Sequence, residues 1–125
     1  MKTNVSTDKA PAAIGPYSQA IKANGLLFIS GQLPVNPADG TIPAKVEAQA
    51  KQSLENVMAI LYSAGLGAND VVKTTVFLKD MNDFAAVNAV YAEYFTKEFP
   101  ARACIEAARL PKDALVEVEA IAVCE

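Results

Sequence analysis

The chain has 125 residues, 52% hydrophobic and 20% charged, with no His, no Trp, two Cys and a formal net charge of −3. A length of this order allows one domain that buries about two-thirds of its unfolded surface, so residues 1–125 are expected to form a single domain. Without His, Ser-His-Asp and Cys-His catalytic groups and His-bearing metal sites are excluded, and a pI of about 4.9 runs against the basic footprint of a nucleic-acid binder.

In chain order, the first nine residues (Met1 to Lys9) are polar with no apolar stretch behind them, which predicts neither a secretory leader nor a membrane span. Thr3 to Ser6 leaves room for a short strand. Pro11, Gly15 and Pro16 forbid a helix and hand the chain to an extended segment beginning near Tyr17. Asn24-Gly25 reads as a hairpin turn. The run Leu26 to Leu33 lacks clean alternation, as a central strand covered on both faces would. From Ala44 to Ala64, Val46, Ala50, Leu54, Val57, Met58 and Leu61 recur at helical spacing, and Gly65 and Gly67 end the helix. Asp70 to Lys79 is β-branched and aromatic and reads as a strand. A second helix, capped by Asp80 or Asn82, carries Phe84, Val87, Tyr91, Tyr94 and Phe95 on its apolar stripe, with Pro100 beyond its end. Ala101 to Ala107 and Leu115 to Val123 complete the set as two strands.

Two helices cover one face of such a sheet and leave the other. In the last strand, Val116, Val118, Ala120 and Ala122 suit packing under the helices, while Glu117, Glu119, Ile121 and Val123 point away. In the strand before it, Arg102, Cys104 and Glu106 share one face and Ala103, Ile105 and Ala107 the other. A face mixing Ile121, Val123, Cys104 and charges is neither solvent-like nor a finished core. It predicts a homo-oligomer, with Arg102, Cys104 and Glu117 gathered near a pocket in the interface.

The candidates for chemistry are few. The only two Arg, Arg102 and Arg109, stand close together against nine Lys. On a strand, Arg102 is held rigidly enough to grip a carboxylate with two parallel hydrogen bonds, or else it pairs structurally with Glu106, Glu117 or Glu119. Arg109, in a loop, reads as structural or solvated. Glu117 and Glu119 are costly on an apolar strand unless paired or functional, the alternative being an edge strand with both in solvent. Gly31, after Ser30, admits a ligand to the backbone or marks a bulge. Asn88, beside the apolar stripe, reads equally as a side chain bonded to nearby backbone. Cys104 and Cys124 lie outside any CxxC and read as packing or incidental thiols in a reducing cytoplasm.

These residues also stand in a recognisable order. The motifs Ala10-Pro11-Ala12-Ala13-Ile14-Gly15-Pro16-Tyr17-Ser18-Gln19, Ile29-Ser30-Gly31-Gln32-Leu33-Pro34-Val35 and Gln52-Ser53-Leu54-Glu55-Asn56-Val57 are followed by Val72-Lys73-Thr74-Thr75-Val76-Phe77 and Phe99-Pro100-Ala101-Arg102-Ala103-Cys104. Arg109-Leu110-Pro111-Lys112-Asp113 and Val116 to Ala122 close the series. Nearly end to end, the chain resembles the RidA/YjgF family of reactive-intermediate imine deaminases. The resemblance implies an α+β, chorismate-mutase-like fold: a mixed sheet with two helices on one face, trimerising so that three sheets enclose a central β-barrel with pockets between subunits. It implies hydrolysis of 2-imino acids, released as enamines such as 2-aminoacrylate and 2-aminocrotonate, to 2-keto acids and ammonia, with no metal or cofactor and no membrane partner. By motif position, Arg102 resembles the carboxylate-binding Arg and Glu117 the residue that positions the attacking water. Cys104, Tyr17, Ser30, Gly31 and Asn88 match substrate-pocket positions. Some relatives carry ribonuclease, translation-inhibitor or chaperone labels, and a non-catalytic keto- or imino-acid binder is a further alternative.

Overall fold

The structure, a computed structural model, describes residues 1–124. Its strands are β1 (Thr3–Val5), β2 (Ala20–Ala23), β3 (Leu26–Gln32), β4 (Val71–Leu78), β5 (Ala101–Glu106) and β6 (Val116–Val123), and its helices α1 (Val46–Ser63) and α2 (Phe84–Tyr94). They build a mixed α+β fold with one six-stranded sheet in the order β1-β2-β3-β6-β4-β5. All neighbouring pairs are antiparallel except β4 and β5, which are parallel and are joined by the crossover that contains α2.

The hairpin between β2 and β3 turns where Asn24 and Gly25 both take positive φ, 55° and 78°, the twist that favours this dipeptide. As expected, β3 is interior, between β2 and β6, and β6 is interior too, which removes the edge-strand reading of Glu117 and Glu119. The strand expected from Tyr17 begins only at Ala20. The reason is Gln19, a buried side chain that accepts from the Thr7 amide at 2.7 Å and donates to the carbonyls of Thr7, Ala10 and Pro11. Tyr17 and Ser18 are thereby held in a loop rather than a ladder.

The core lies between the sheet and the two helices. α1 buries Ala50, Leu54, Val57, Met58 and Leu61, at the predicted spacing, against β3 and β6, each fully buried Leu contributing about 1.5–3 kcal/mol. It stops where the Leu66 amide donates to the Leu61 carbonyl and Gly65 takes φ +76°. Asp80, a predicted cap, accepts from the Asn82 amide at 2.9 Å, but it closes a single 3-10 turn over Met81–Asp83 from which α2 then starts. From the sheet side, Val116, Val118, Ala120 and Ala122 meet the helices, as their alternation predicts.

One face assignment changes. Thr74 pairs with Arg102 and Val76 with Cys104 across β4 and β5, and Thr74 and Val76 belong to the helix-side core. Arg102, Cys104 and Glu106 therefore share the helix side of the sheet, and it is Ala103 and Ile105 that lie with Glu117 on the open face. β5 is an edge strand whose helix-side residues are half-buried or exposed, so a helix-side position there is not a sealed one, and charge is tolerated. Among the described residues, no helix is long and apolar enough to cross a membrane.

Candidate functional site

Arg102 is held from α2. Phe84, Asn88 and Tyr91 recur at i, i+4 and i+7, which aligns them on one stripe of the helix facing β5. The guanidinium donates from Nη1 to Asn88 Oδ1 at 2.7 Å, and its central carbon lies 4.8 Å from the Tyr91 ring centroid and 5.5 Å from that of Phe84. A cation above aromatic faces is attracted by the ring quadrupole without being neutralised. Among the described residues no acid lies within ion-pair distance of Arg102; Glu106 instead accepts from the Met81 amide at 2.8 Å. The structural pairing considered for Arg102 is thus absent, and its charge faces a cleft of about 430 Å³ bounded by Asn88, Tyr91, Phe95, Phe99 and Arg102. Arg109, by contrast, bonds Asp113 at 3.0 Å on an exposed loop, the structural reading expected for it.

Tyr91 is 6% exposed, and its hydroxyl is 2.7 Å from the Thr74 hydroxyl on β4. Neither residue was singled out for chemistry by sequence reasoning. The available signal was Thr74 itself, the one hydroxyl among the helix-side positions Thr74, Val76 and Leu78 of β4.

Cys104 follows Arg102 on the same face, half-buried and unbridged. Burial pushes its thiol up from the ordinary value and the nearby Arg102 charge opposes this only in part, so at neutral pH it is a packing thiol rather than a nucleophilic thiolate.

Glu117 stands on the other side of the sheet, opposite Phe77 of β4. Burial raises its carboxyl above the usual carboxylate range, and Glu119, two residues along the same face, adds to the rise. Its side chain lies against Gly31, where a Cβ would meet Glu117 Cδ at 2.9 Å. Gly31 also sits in an irregularity of the β3–β6 ladder between Ile29 and Gln32, so the bulge and the close approach are one feature. Ser30 is engaged on both groups: its hydroxyl donates to the Ser18 carbonyl at 2.6 Å and its amide to Gln19 at 2.9 Å. Tyr17, 52% exposed, is carried by the loop those bonds hold. The structure thus brings Arg102, Asn88 and Cys104 together, brings Glu117 and Gly31 together, and puts the sheet between the two groups.

A larger cleft of about 520 Å³, between the N-terminal segment and α1, contains none of the candidate residues. Its acid and both amides are already bonded: Glu55 to the Tyr94 hydroxyl at 2.6 Å, Asn56 to the Leu33 and Val35 carbonyls, and Gln52 to Asn56 Oδ1 at 2.9 Å. Among the described residues, no three His, Cys, Asp or Glu side chains cluster as metal ligands would.

With the geometry in place, comparison with known proteins decides the family. Residues 7–124 match the family model described as Endoribonuclease L-PSP. The chain belongs to the RidA/YjgF family. A family member from Escherichia coli K12, the 2-iminobutanoate/2-iminopropanoate deaminase, is 57% identical over 98% of both chains. A RutC family protein of Haemophilus influenzae is 62% identical over 95% of both. The crystal structure of E. coli TdcF with bound serine superposes with a TM-score of 0.95 at 49% identity, over 98% of this chain and 99% of that one. The RidA/YjgF fold is therefore shared across the whole sheet and both helices, and one solved relative holds a small amino acid.

Proposed function

We propose that this protein hydrolyses reactive 2-imino acids, arising from enamines such as 2-aminoacrylate and 2-aminocrotonate, to 2-keto acids and ammonia. The observation that carries the reading is Arg102: a guanidinium held by a neutral amide and two aromatic rings, with its charge unanswered at the mouth of a cleft. Such a group binds a small carboxylate through two parallel hydrogen bonds. Several relatives are named for deamination of 2-iminobutanoate and 2-iminopropanoate, which are carboxylates of this size.

In the proposed reaction Arg102, aided by Asn88, fixes the substrate carboxylate and so the position of the imine carbon. Glu117 holds a water and takes its proton as the oxygen adds to that carbon. Glu117 passes that proton to the imine nitrogen; in the tetrahedral intermediate so formed the hydroxyl proton then moves through Glu117 to the same nitrogen as the carbon–nitrogen bond breaks, releasing ammonia and the 2-keto acid and leaving Glu117 ionised. A carboxyl raised by burial is a better base near neutral pH than an ordinary one. The barrier is modest for an intrinsically labile imine, so acid–base assistance worth about 10²–10⁴-fold is enough without His or metal. Gly31 leaves room for the Glu117 carboxylate; Tyr17, Ser30 and the Cys104 backbone line the pocket.

Because Arg102 and Glu117 leave opposite sides of one sheet, the proposed pocket is completed by a second copy, in a homotrimer whose open sheet faces enclose a central barrel. Support comes from that face: Phe28 and Ile105 are exposed and Ile121 and Val123 half-exposed around the half-buried Glu117. Residues 1–125 act as one domain in this assembly, in the cytoplasm.

The test is coupled release of keto acid from 2-aminoacrylate generated by a pyridoxal-phosphate dehydratase acting on serine. The wild-type protein accelerates it, and Arg102→Ala loses at least about 100-fold in kcat/KM while keeping its oligomeric mass. Wild-type turnover by the variant overturns the assignment of Arg102. No acceleration by the wild type, with cleavage of RNA instead, overturns the reaction itself; 14 acids against 11 bases weigh against that outcome.

A further inference from the structure

We infer that Tyr91 and Thr74 are positioning residues for Arg102, setting the plane in which its guanidinium meets a substrate carboxylate. The inference rests on the carboxylate-holding role proposed above for Arg102.

Thr74 and Arg102 are direct partners on β4 and β5, so their side chains leave the same face side by side. Thr74 is fully buried and Tyr91 nearly so, yet each carries a hydroxyl, and each hydroxyl finds the other at 2.7 Å. Remove either and the remaining hydroxyl is buried without a partner, so the pair is strongly held. The far end of Tyr91 is thus pinned to the sheet. Its ring rests on Phe95, with centroids 4.6 Å apart and planes inclined by 38°. The guanidinium lies on the ring so fixed, 4.8 Å from its centroid.

Arg102 otherwise has a long flexible stem whose tip has one hydrogen bond among the described residues, to Asn88. One bond fixes one direction of a planar group and leaves rotation about it free. The Tyr91 ring removes that freedom, because a guanidinium over an aromatic face has a preferred distance and tilt. The Tyr91 hydroxyl is occupied by Thr74 and buried, so it does not reach the cleft itself. Burial also pushes it above the ordinary phenol value, which suits a fixed neutral group rather than a proton donor. Phe84 and Phe95 share the stripe with Tyr91. Tyr91 alone among them carries a hydroxyl, and it stands where Thr74 can receive it.

The experiment compares Tyr91→Phe, Thr74→Val, their double variant and Thr74→Ser with Arg102→Lys, reading KM and kcat for imine hydrolysis and, by calorimetry, the Kd of 2-oxobutanoate. Tyr91→Phe and Thr74→Val each raise KM and Kd about three- to tenfold with kcat changed by less than about twofold. The double variant is no weaker than the worse single one, because both remove the same bond. Thr74→Ser keeps the hydroxyl and restores near wild-type binding. A purely structural pair would lower the melting temperature and leave KM and Kd alone, and that result in a folded Tyr91→Phe protein overturns the inference. If Thr74→Val does not fold, the contrast between Tyr91→Phe and Thr74→Ser still decides. If Arg102→Lys binds and turns over as the wild type does, it is the role of Arg102 that fails, and the inference falls with it.

Discussion

The two faces of the sheet use the same alternating strands for opposite ends. On the helix side β6 presents Val116, Val118, Ala120 and Ala122, all essentially without solvent contact, and the surface is finished within the chain. On the other side the same strand presents Glu117, Glu119, Ile121 and Val123, joined by Phe28 and Ile105, and among the described residues these stay half-buried or exposed. A closed face holds a fold together; a half-apolar face with a partly desolvated carboxyl, Glu117, suits a second surface. Arg102 stands on the closed side, on the edge strand β5, and Glu117 on the open side. Under the proposed reaction, that separation makes an Arg-plus-Glu site a property of the assembly rather than of one chain.

The largest effect that breaks or sharpens this contrast comes from mixing two dead proteins. Arg102→Ala and Glu117→Ala are each expected to be nearly inactive. After unfolding together at equal amounts and refolding, some interfaces pair an intact Arg102 with an intact Glu117 from a different copy. In randomly assorted trimers about a quarter of the sites are whole, so activity returns to about a quarter of the wild-type level. A site contained within one chain gives no recovery, and the coupled keto-acid assay separates the two outcomes.

A smaller effect is expected inside the open face. Gly31→Ala puts a Cβ where the Glu117 carboxyl now lies. Glu117 is half-exposed and can swing away, so the fold is kept while the held water is displaced, and kcat falls about tenfold. Unchanged kcat in a folded Gly31→Ala protein would show that the position of the Glu117 carboxyl does not matter to turnover.

The closed side was the more legible in the sequence, for a physical reason. Val46, Ala50, Leu54, Val57, Met58 and Leu61 repeat with a helical period, and every one of them packs where that period puts it because burial of a stripe is what selects the pattern. Period-two alternation is weaker information: it divides β5 into Arg102, Cys104, Glu106 and Ala103, Ile105 without saying which set faces the helices. The charges suggested the open face, and the parallel register with β4 put them on the other. What holds Arg102 was likewise beyond reach, since Thr74, Tyr91 and Arg102 lie on three separate elements and meet only after the crossover closes. The late start of β2 has the same origin, four hydrogen bonds between the Gln19 side chain and residues about ten positions earlier.

The smallest expected effect is on stability, and it reports whether the open face is covered. Burial raises the Glu117 carboxyl above its value in the unfolded chain, with Glu119 adding to the rise. For a carboxyl whose folded value is raised, the stabilising contribution is full at pH below the unfolded value of about 4.3 and is lost as pH rises through the folded value. In its charged form Glu117 is therefore a net burden on the fold. Glu117→Gln keeps the shape and removes the charge, so the melting temperature at pH 7 rises by about 1–3 °C over wild type, and the difference closes as the pH is lowered toward 4. A second copy seated on this face would withdraw more water from Glu117 and enlarge the gap. Thermal scans of both proteins across a dilution series that spans dissociation should then show the pH 7 difference shrinking as the copies separate. A difference that is indifferent to dilution would mean that Glu117 is buried by its own chain alone, and that the open face is a surface after all.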